Sequence, residues 1–579
     1  MGARVLAVLV ACALAFGFGP MASGVEEAPS EADAISSTAS TSSVGASSGR
    51  LGGATRYDSA VAISTHAFAD ASTARRVYLA RGDIVIDALT AGTLRDGPVL
   101  LTRGGCGEVP SSVRAEIRRL NASSVVALGG TGAVCDEALQ AAAQGRPTQR
   151  LSGTTRAHTA ALIARRAFPN GATRVYLTRG DVTPDAVAGG SLTDGPILLA
   201  SADGRSVPGE TRDAIRDLGP STVVALGGTG AVSDIALAAA ADGRRTQRLA
   251  GADRYATAVA IADHAYPTRT ARAYVTRGDG LNLVDAVASG MLTDGPVLLT
   301  PGTCEPVRAS TASALTRRHP DRVVALGGTG SLCQSTLRGA ALDARPAPDC
   351  SRLRCVALTF DDGPSSLTPQ FLDVFARERV PATFFVIGRK VASRSATVRA
   401  TFIEGHQIGN HTYEHLRLPT LTLTQQREQL DRTDAALKAI GVHPTARIRP
   451  PFLAFDANTR RTGRAVIMAD TNPQDWKGGT AAEIRAYIRA NVRPGSIIVQ
   501  HDTLDTTLAA MPGVIADLKA AGYTIVTVDE LLPNLRAGDV AYNRTNVIPV
   551  GTEIDTTVPL TLDDGRELVT TDTTGDATD

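Results

Sequence analysis

Three stretches of this chain are copies of one another, and that repetition limits the fold more than any other feature. "RLGGATRYDSAVAIS" at 50–64 returns as "RLSGTTRAHTAALIA" at 150–164 and as "RLAGADRYATAVAIA" at 248–262. Later blocks keep step. "VYLARGD" at 77 recurs as "VYLTRGD" at 175 and "AYVTRGD" at 273, and "VVALGGTG" at 125 recurs at 223 and 323. "DGPVLLT" at 96 likewise has counterparts at 194 and 294. A period of 98–100 residues, present three times, predicts three like domains over 50–147, 148–245 and 246–345. Within each copy, short apolar runs such as Val99–Leu101 and Val125–Leu128 alternate with Ala-rich helical stretches. That is the pattern of a parallel sheet covered by helices. The "LGGTG" turn lacks the full G-x-G-x-x-G nucleotide fingerprint and reads as a tight turn. "RGD", fixed after a strand in every copy, reads as structural rather than as an adhesion ligand.

The cysteines follow the same shift. Cys106 and Cys135 are 29 residues apart, as are Cys304 and Cys333, and the second pair is the first displaced by 198. The middle copy has Gly204 and Ser233 at these places, so both members are missing together. This pairs Cys106 with Cys135 and Cys304 with Cys333, and leaves Cys350 and Cys355 to close a small loop. Disulfides fit an exported chain. The N-terminus agrees: one Arg, an apolar run from Val5 to Phe18, then Ala22-Ser23-Gly24. Residues 1–24 read as a secretory signal, because the apolar run falls short of the ~20 residues a membrane span needs. A Ser/Ala/Thr-rich linker is expected over 25–49. The Thr/Asp-rich tail over 536–579, with eight acidic residues and one Arg from Glu553 onward, is expected to be mostly disordered. Lys+Arg 59 against Asp+Glu 58 gives a net charge of +1, which argues against bulk electrostatic binding of nucleic acid.

Chemistry concentrates after residue 350. In "TFDDGP", 359–364, an apolar run ends in two adjacent carboxylates, Asp361 and Asp362. Like charges side by side resist desolvation, and in extended chain they face opposite ways, so they can serve different roles. Downstream, "HTYEH" holds His411 and His415, a spacing that puts both rings on one face of a helical turn. Two imidazoles and a carboxylate make a three-ligand set with open coordination positions. "RPPF" supplies Arg449, "DW" supplies Asp475 and the chain's only tryptophan, Trp476, and "IIVQH" ends in His501. The last sits at the C-terminal end of an apolar run, where α/β barrels carry active groups.

The repeats, through their R-L-x-G-x-x-R opening, R-G-D, D-G-P and G-G-T-G segments, resemble the cell wall binding repeat type 2 of Gram-positive surface proteins. The resemblance implies Rossmann-like α/β units packed as a pseudo-trimer that binds an anionic wall polymer. The recurring Arg56, Arg156 and Arg254 are candidates for that anion site or for packing. Residues 351–535, through the five motifs above, resemble the polysaccharide deacetylase family (NodB homology, carbohydrate esterase family 4). This second resemblance implies an irregular (β/α) barrel with a divalent metal, zinc being expected, on Asp362, His411 and His415. It makes Asp361 the base, oriented by Arg449, and His501 the acid, supported by Asp475. The Phe452 N–H becomes an oxyanion donor and Trp476 a wall of the acetyl pocket. The family's usual Tyr-Gly after the prolines is Phe452-Leu453 here, and Leu453 is expected to narrow the cleft. Together these imply a secreted hydrolase, anchored in a Gram-positive-type cell wall without a membrane span, that removes acetyl groups from peptidoglycan or a related amino-sugar polymer. The rival reading is a wall-associated carbohydrate-binding or adhesion protein without turnover. The complete Asp-Asp-His-His-His set favours the enzyme.

Overall fold

The computed structural model describes residues 45–84, 90–181, 184–279 and 283–553; the signal segment, most of the linker and the end of the tail lie outside them. The strands of the first half are β1 (Ser47–Leu51), β2 (Arg76–Arg81), β3 (Val99–Thr102), β4 (Ser124–Leu128), β5 (Thr148–Leu151) and β6 (Arg174–Thr178). They continue as β7 (Ile197–Leu199), β8 (Thr222–Leu226), β9 (Arg245–Leu249), β10 (Arg272–Arg277), β11 (Val297–Thr300) and β12 (Arg322–Leu326). Three parallel four-stranded sheets result, ordered β3-β2-β4-β5, β7-β6-β8-β9 and β11-β10-β12-β1. The central strands are buried on both faces, which is why they read as unbroken apolar runs.

The folded units run out of phase with the sequence repeats. The R-L segment that opens each copy is an edge strand, and it pairs with the sheet of the preceding copy: β5 with β4, β9 with β8. The first copy has no predecessor, and its opening strand β1 pairs instead with β12 of the third unit, Ser47 against Arg322 through Leu51 against Leu326. Strand structure therefore begins inside the stretch expected to be linker.

Helices α1 (Arg56–Ala67), α2 (Arg156–Ala167) and α3 (Arg254–Ala265) start at Thr55, Thr155 and Asp253. Each of these side chains accepts a first-turn N–H, satisfying a donor that would otherwise lack a partner. Arg56, Arg156 and Arg254 then donate to the carbonyls of Gly82, Gly180 and Gly278 at 2.8, 2.7 and 2.9 Å. They clamp the R-G-D loop to the helix start, which accounts for their recurrence without an anion.

Contacts between the units form a closed cycle. Tyr78, Tyr176 and Tyr274 donate their hydroxyls to Asp96, Asp194 and Asp294 at 2.7, 2.6 and 2.7 Å. Each hydroxyl also meets the end of a neighbour's helix: Arg166 of α2 at Tyr78 (3.1 Å), His264 of α3 at Tyr176 (3.1 Å), and His66 of α1 at Tyr274 (3.3 Å). Gly92, Gly190 and Gly290 come together where the three units converge. A Cβ on Gly290 would lie 2.3 Å from the Gly92 Cα, so only glycine fits. Cys106 is joined to Cys135, Cys304 to Cys333 and Cys350 to Cys355. In the middle unit a backbone bond from Ser233 N to Gly204 O (2.8 Å) spans the place where the first unit has Cys135 N to Gly105 O (3.1 Å).

The second half contains β13 (Arg354–Asp361), β14 (Thr383–Val386), β15 (Gln407–Asn410), β16 (Arg447–Ile448), β17 (Ala465–Ile467), β18 (Ile497–His501), β19 (Tyr523–Val526), β20 (Val540–Ala541) and β21 (Val547–Ile548). Its sheet curls in the order β18-β13-β14-β15-β16-β17-β20-β21, with β19 against the start of β13. Every pairing is parallel except β20 with β21. The sheet curls into a half-barrel, and two isolated bridges, Thr471 with Ile498 and Ser496 with Asn543, lead from its far end back to β18. Phe360, Phe371, Phe375 and Phe384 cluster behind it, with centroids 5.2–5.5 Å from Phe360. The tail expectation is corrected in part. Val540, Ala541 and Tyr542 are buried, and β20 extends the sheet beside β17, so folded structure continues past 535. A three-residue apolar patch is too short to stand out from a polar composition.

Helix α4 (Gln334–Asp343) of the third unit lies against α5 (Ser395–Ile403), so closely that a Cβ on Gly339 would fall 2.2 Å from the Ile403 carbonyl oxygen. Helices α6 (Ala481–Asn491) and α7 (Asp505–Ala520) also pack on the sheet, with Ile484, Ile488, Val514 and Leu518 in the Phe360 core.

Candidate active site

Strand β13 delivers Asp361 beside His501, the last residue of β18, because the two strands pair in register at that step. Asp362 then leaves the strand with φ 71°, turning its carboxylate away from that of its neighbour. The two aspartates do face different surroundings. Asp361 is buried and accepts from Arg449 Nη1 at 3.0 Å. Arg449 is fully buried. It also donates to Thr359 Oγ1, to the Ile467 carbonyl at 3.2 Å and to the Met468 carbonyl at 2.9 Å, with its guanidinium 4.4 Å over the Phe385 ring. An arginine held on so many sides can place a carboxylate with little freedom.

Asp362 faces two imidazoles. Its Oδ1 lies 3.3 Å from His411 Nε2 and 3.1 Å from His415 Nε2. These histidines are not on a helix, as their spacing suggested. They sit in a loop after β15, where Thr412 and His415 both take φ 63°. The Thr412 N–H donates to Asn410 Oδ1 (2.8 Å) and the His415 N–H to Thr412 Oγ1 (3.0 Å). Side chains thus supply the convergence that a helix would have provided. His411 Nδ1 donates to the Arg449 carbonyl at 2.7 Å, which leaves Nε2 as a lone-pair donor toward Asp362. Asp362 Oδ1 is buried without a hydrogen-bond donor of its own. One carboxylate oxygen and two imidazole nitrogens, all within 4.8 Å of one another, fit a divalent cation.

Opposite stands His501. Its Nδ1 donates to Asp475 Oδ1 at 2.8 Å and its backbone N–H to Asp475 Oδ2 at 2.8 Å, while Thr507 donates to the same oxygen at 2.7 Å. Burial alone would lower the imidazole's pKa, but the hydrogen bond and charge of Asp475, joined by Asp362 and Asp361, raise it to about 9. The remaining nitrogen, Nε2, is 4.0 Å from Asp362 Oδ2 and so points into the cluster.

At the rim, Phe452 (49 % exposed) and Trp476 (47 % exposed) present their rings to solvent. The Phe452 ring is 4.9 Å from His415, and Lys477 Nζ lies 4.9 Å over the Trp476 ring. Phe452 and Leu453 adopt φ 59° and 52°. Leu453 packs on the cluster around Ile448 and Phe455, away from the role of narrowing the cleft that its position suggested. Three supporting residues escaped the sequence reading. Lys390 donates to the Asp362 carbonyl at 2.8 Å, Thr507 holds Asp475, and Asp502 lies buried beneath the turn at Gly363. Burial raises the Asp502 carboxyl to about 7 although Thr368 donates to it. Its place directly after His501 was the available signal.

The arrangement defines a class: an α/β hydrolytic site with an arginine-held carboxylate and an aspartate-held imidazole beside a candidate cation site. The polysaccharide deacetylase family model matches residues 349–468, and that of cell wall binding domain 2 matches 50–139, 150–237 and 248–337. The chain belongs to the polysaccharide deacetylase family and carries three copies of the wall-binding domain. It is similar to the peptidoglycan-N-acetylglucosamine deacetylase PgdA of Listeria monocytogenes, 34 % identical over 203 residues, which are 34 % of this chain and 43 % of that protein. It is also 34 % identical to a peptidoglycan-N-acetylglucosamine deacetylase of Bacillus cereus, over 30 % of this chain and 67 % of that protein. The third, a chitooligosaccharide deacetylase of Bradyrhizobium, is 34 % identical over 32 % of this chain and 93 % of its own length. The match thus spans less than half of the Listeria protein. Among the described residues no helix is long and apolar enough to cross a membrane.

Proposed function

We propose that this protein is a wall-associated deacetylase that hydrolyses the N-acetyl groups of an amino-sugar polymer, peptidoglycan before chitin. The observation that carries this is the pairing of Asp361 with Arg449 and of His501 with Asp475 beside one carboxylate–diimidazole cluster. Asp362, His411 and His415 would hold a divalent cation, expected to be zinc, which when bound polarises an acetyl carbonyl and eases deprotonation of water. Asp361, oriented by Arg449, takes the proton from the attacking water. His501 has its Nδ1 occupied by Asp475 and so offers the Nε2 proton to the departing amine. The Phe452 N–H faces the developing oxyanion, and Trp476 bounds the acetyl group. The repeats form a pseudo-trimer that holds the enzyme on an anionic polymer of the cell wall, giving a surface location. Two relatives whose names specify peptidoglycan support that substrate for this chain. The test is acetate release from purified peptidoglycan and from chitooligosaccharides by the full chain and by Asp361→Asn. Release from peptidoglycan that Asp361→Asn abolishes is expected; equal release by both proteins would refute the reading.

A further inference from the structure

A second concave site lies at the opposite end of the same sheet. β13 begins at Arg354 and ends at Asp361, so seven strand steps of about 3.3 Å place this end roughly 23 Å from the catalytic carboxylate. Here a cavity of about 280 Å³ opens between α6, α7 and the start of β13. Its apolar lining includes Ile488, Val514 and Leu518, and four arginines surround it: Arg354, Arg485, Arg489 and Arg493. The only carboxylate in the lining is Asp517.

Some of this positive charge has a structural use. Arg485 grips Asp517 with two bonds, at 2.5 and 2.7 Å. Arg493 donates to the Ala490 and Val492 carbonyls at the end of α6, and Arg354 to the Ala521 carbonyl at the end of α7. Arginines commonly serve helix C-termini in this way. The charge nevertheless exceeds what those ends require. Four guanidinium groups against one carboxylate leave +3, and two helix C-termini of about −0.5 each still leave about +2. Arg354 keeps its guanidinium 4.3 Å over the Tyr523 ring, and Arg489 makes no hydrogen bond among the described residues, its charge acting on Asp517 only through space beside Arg485.

We propose that this cavity is a binding site for a phosphate group carried on a small organic unit. A carboxylate is satisfied by one arginine fork, as Asp517 with Arg485 illustrates in the same cavity, whereas three further guanidiniums suit a tetrahedral phosphate with three or four acceptor oxygens. The apolar wall receives the carbon skeleton. On a wall-associated protein the group is supplied either by a phosphodiester polymer or by a small phosphorylated compound, and both present the same chemistry.

Calorimetry of the full chain with sn-glycerol 3-phosphate and with a glycerol-phosphate oligomer tests the site. The wild type should show a saturable site that Arg354→Gln/Arg489→Gln/Arg493→Gln removes while acetate release is unchanged. Because Arg489 holds no helix end, Arg489→Gln alone should fold normally and weaken binding about tenfold, the worth of one charge-assisted contact. Tighter binding of the oligomer, by a margin that the triple variant loses and the repeats therefore do not supply, identifies a polymer as the source; equal binding of the monomer at this site identifies a small compound. Wild-type affinity in the triple variant or in Arg489→Gln, absence of saturable binding in the wild type, or equal affinity for glutarate would each overturn the proposal.

Discussion

Asp475→Asn isolates what the buried carboxylate does for His501. The substitution preserves shape and leaves Thr507 and the His501 N–H with an acceptor, but removes the charge bonded to Nδ1 at 2.8 Å. In the wild type burial pulls the imidazole pKa down and Asp475 outweighs it, for a result near 9 against an ordinary 6.5. At pH 8 a group titrating near 9 is about nine-tenths protonated, whereas one at 6.5 is about 3 % protonated. The proton donor should therefore become roughly thirtyfold scarcer at pH 8, and the alkaline limb of the rate profile should move down toward neutrality. The sign for stability follows from the same linkage. A raised folded pKa stabilises the protein fully below 6.5, and the benefit disappears as pH rises through about 9, roughly 3 kcal/mol at most. Asp475→Asn should lose most stability on the acid side and least above pH 9. Rate–pH profiles of both proteins, with thermal melts at pH 6 and 10, check this. An alkaline limb unchanged in Asp475→Asn would refute the assignment of His501 as the acid.

Asp361→Asn should retain metal and lose about 10²–10⁴-fold in rate, measured by metal analysis beside acetate release. Asp362→Asn and His411→Ala should instead bind metal more weakly, with activity partly restored by added zinc; undiminished stoichiometry in His411→Ala would contradict the ligand set. A fragment of residues 45–345 should pellet with cell walls and be released by salt, whereas one beginning at residue 52 lacks β1 and should melt at lower temperature. Gly290→Ala places a methyl 2.3 Å from the Gly92 Cα and should lower the melting temperature of the repeats while leaving the metal site intact.

What the sequence made legible was whatever short-range pattern governs. The repeats, the cysteine shift and the residues of the Asp362, His411 and His415 cluster follow from spacing and copied blocks, because each reflects a local unit that recurs or a motif that reacts. Secondary structure around the histidines was misread, since a spacing of four suits a helix and a loop equally when Asn410 and Thr412 can bond the backbone. Leu453 was misplaced for a related reason: its direction depends on the left-handed turn at Phe452, which no composition reports. Lys390 was invisible, and Asp502 was marked only by its place after His501, because both meet the turn at Asp362–Gly363 through the tertiary fold, from 28 or more residues away.

Membership of β1 in the third unit was the least legible fact, and it bears most on how the two halves act together. An edge strand from the start of the chain closes the sheet at its end, so the third unit is incomplete until both are made. That same unit presents α4 to the catalytic half through Gly339, where any side chain would strike the Ile403 carbonyl. Arg345 pairs with Glu530, Arg399 with Glu305 at 3.0 Å, and the Gly45 N–H reaches the Arg379 carbonyl at 3.0 Å. Ring closure and docking therefore share one surface. A wall-bound ring joined this way would hold the cleft at a fixed attitude to the polymer, and loosening β1 should disturb wall binding and substrate approach together.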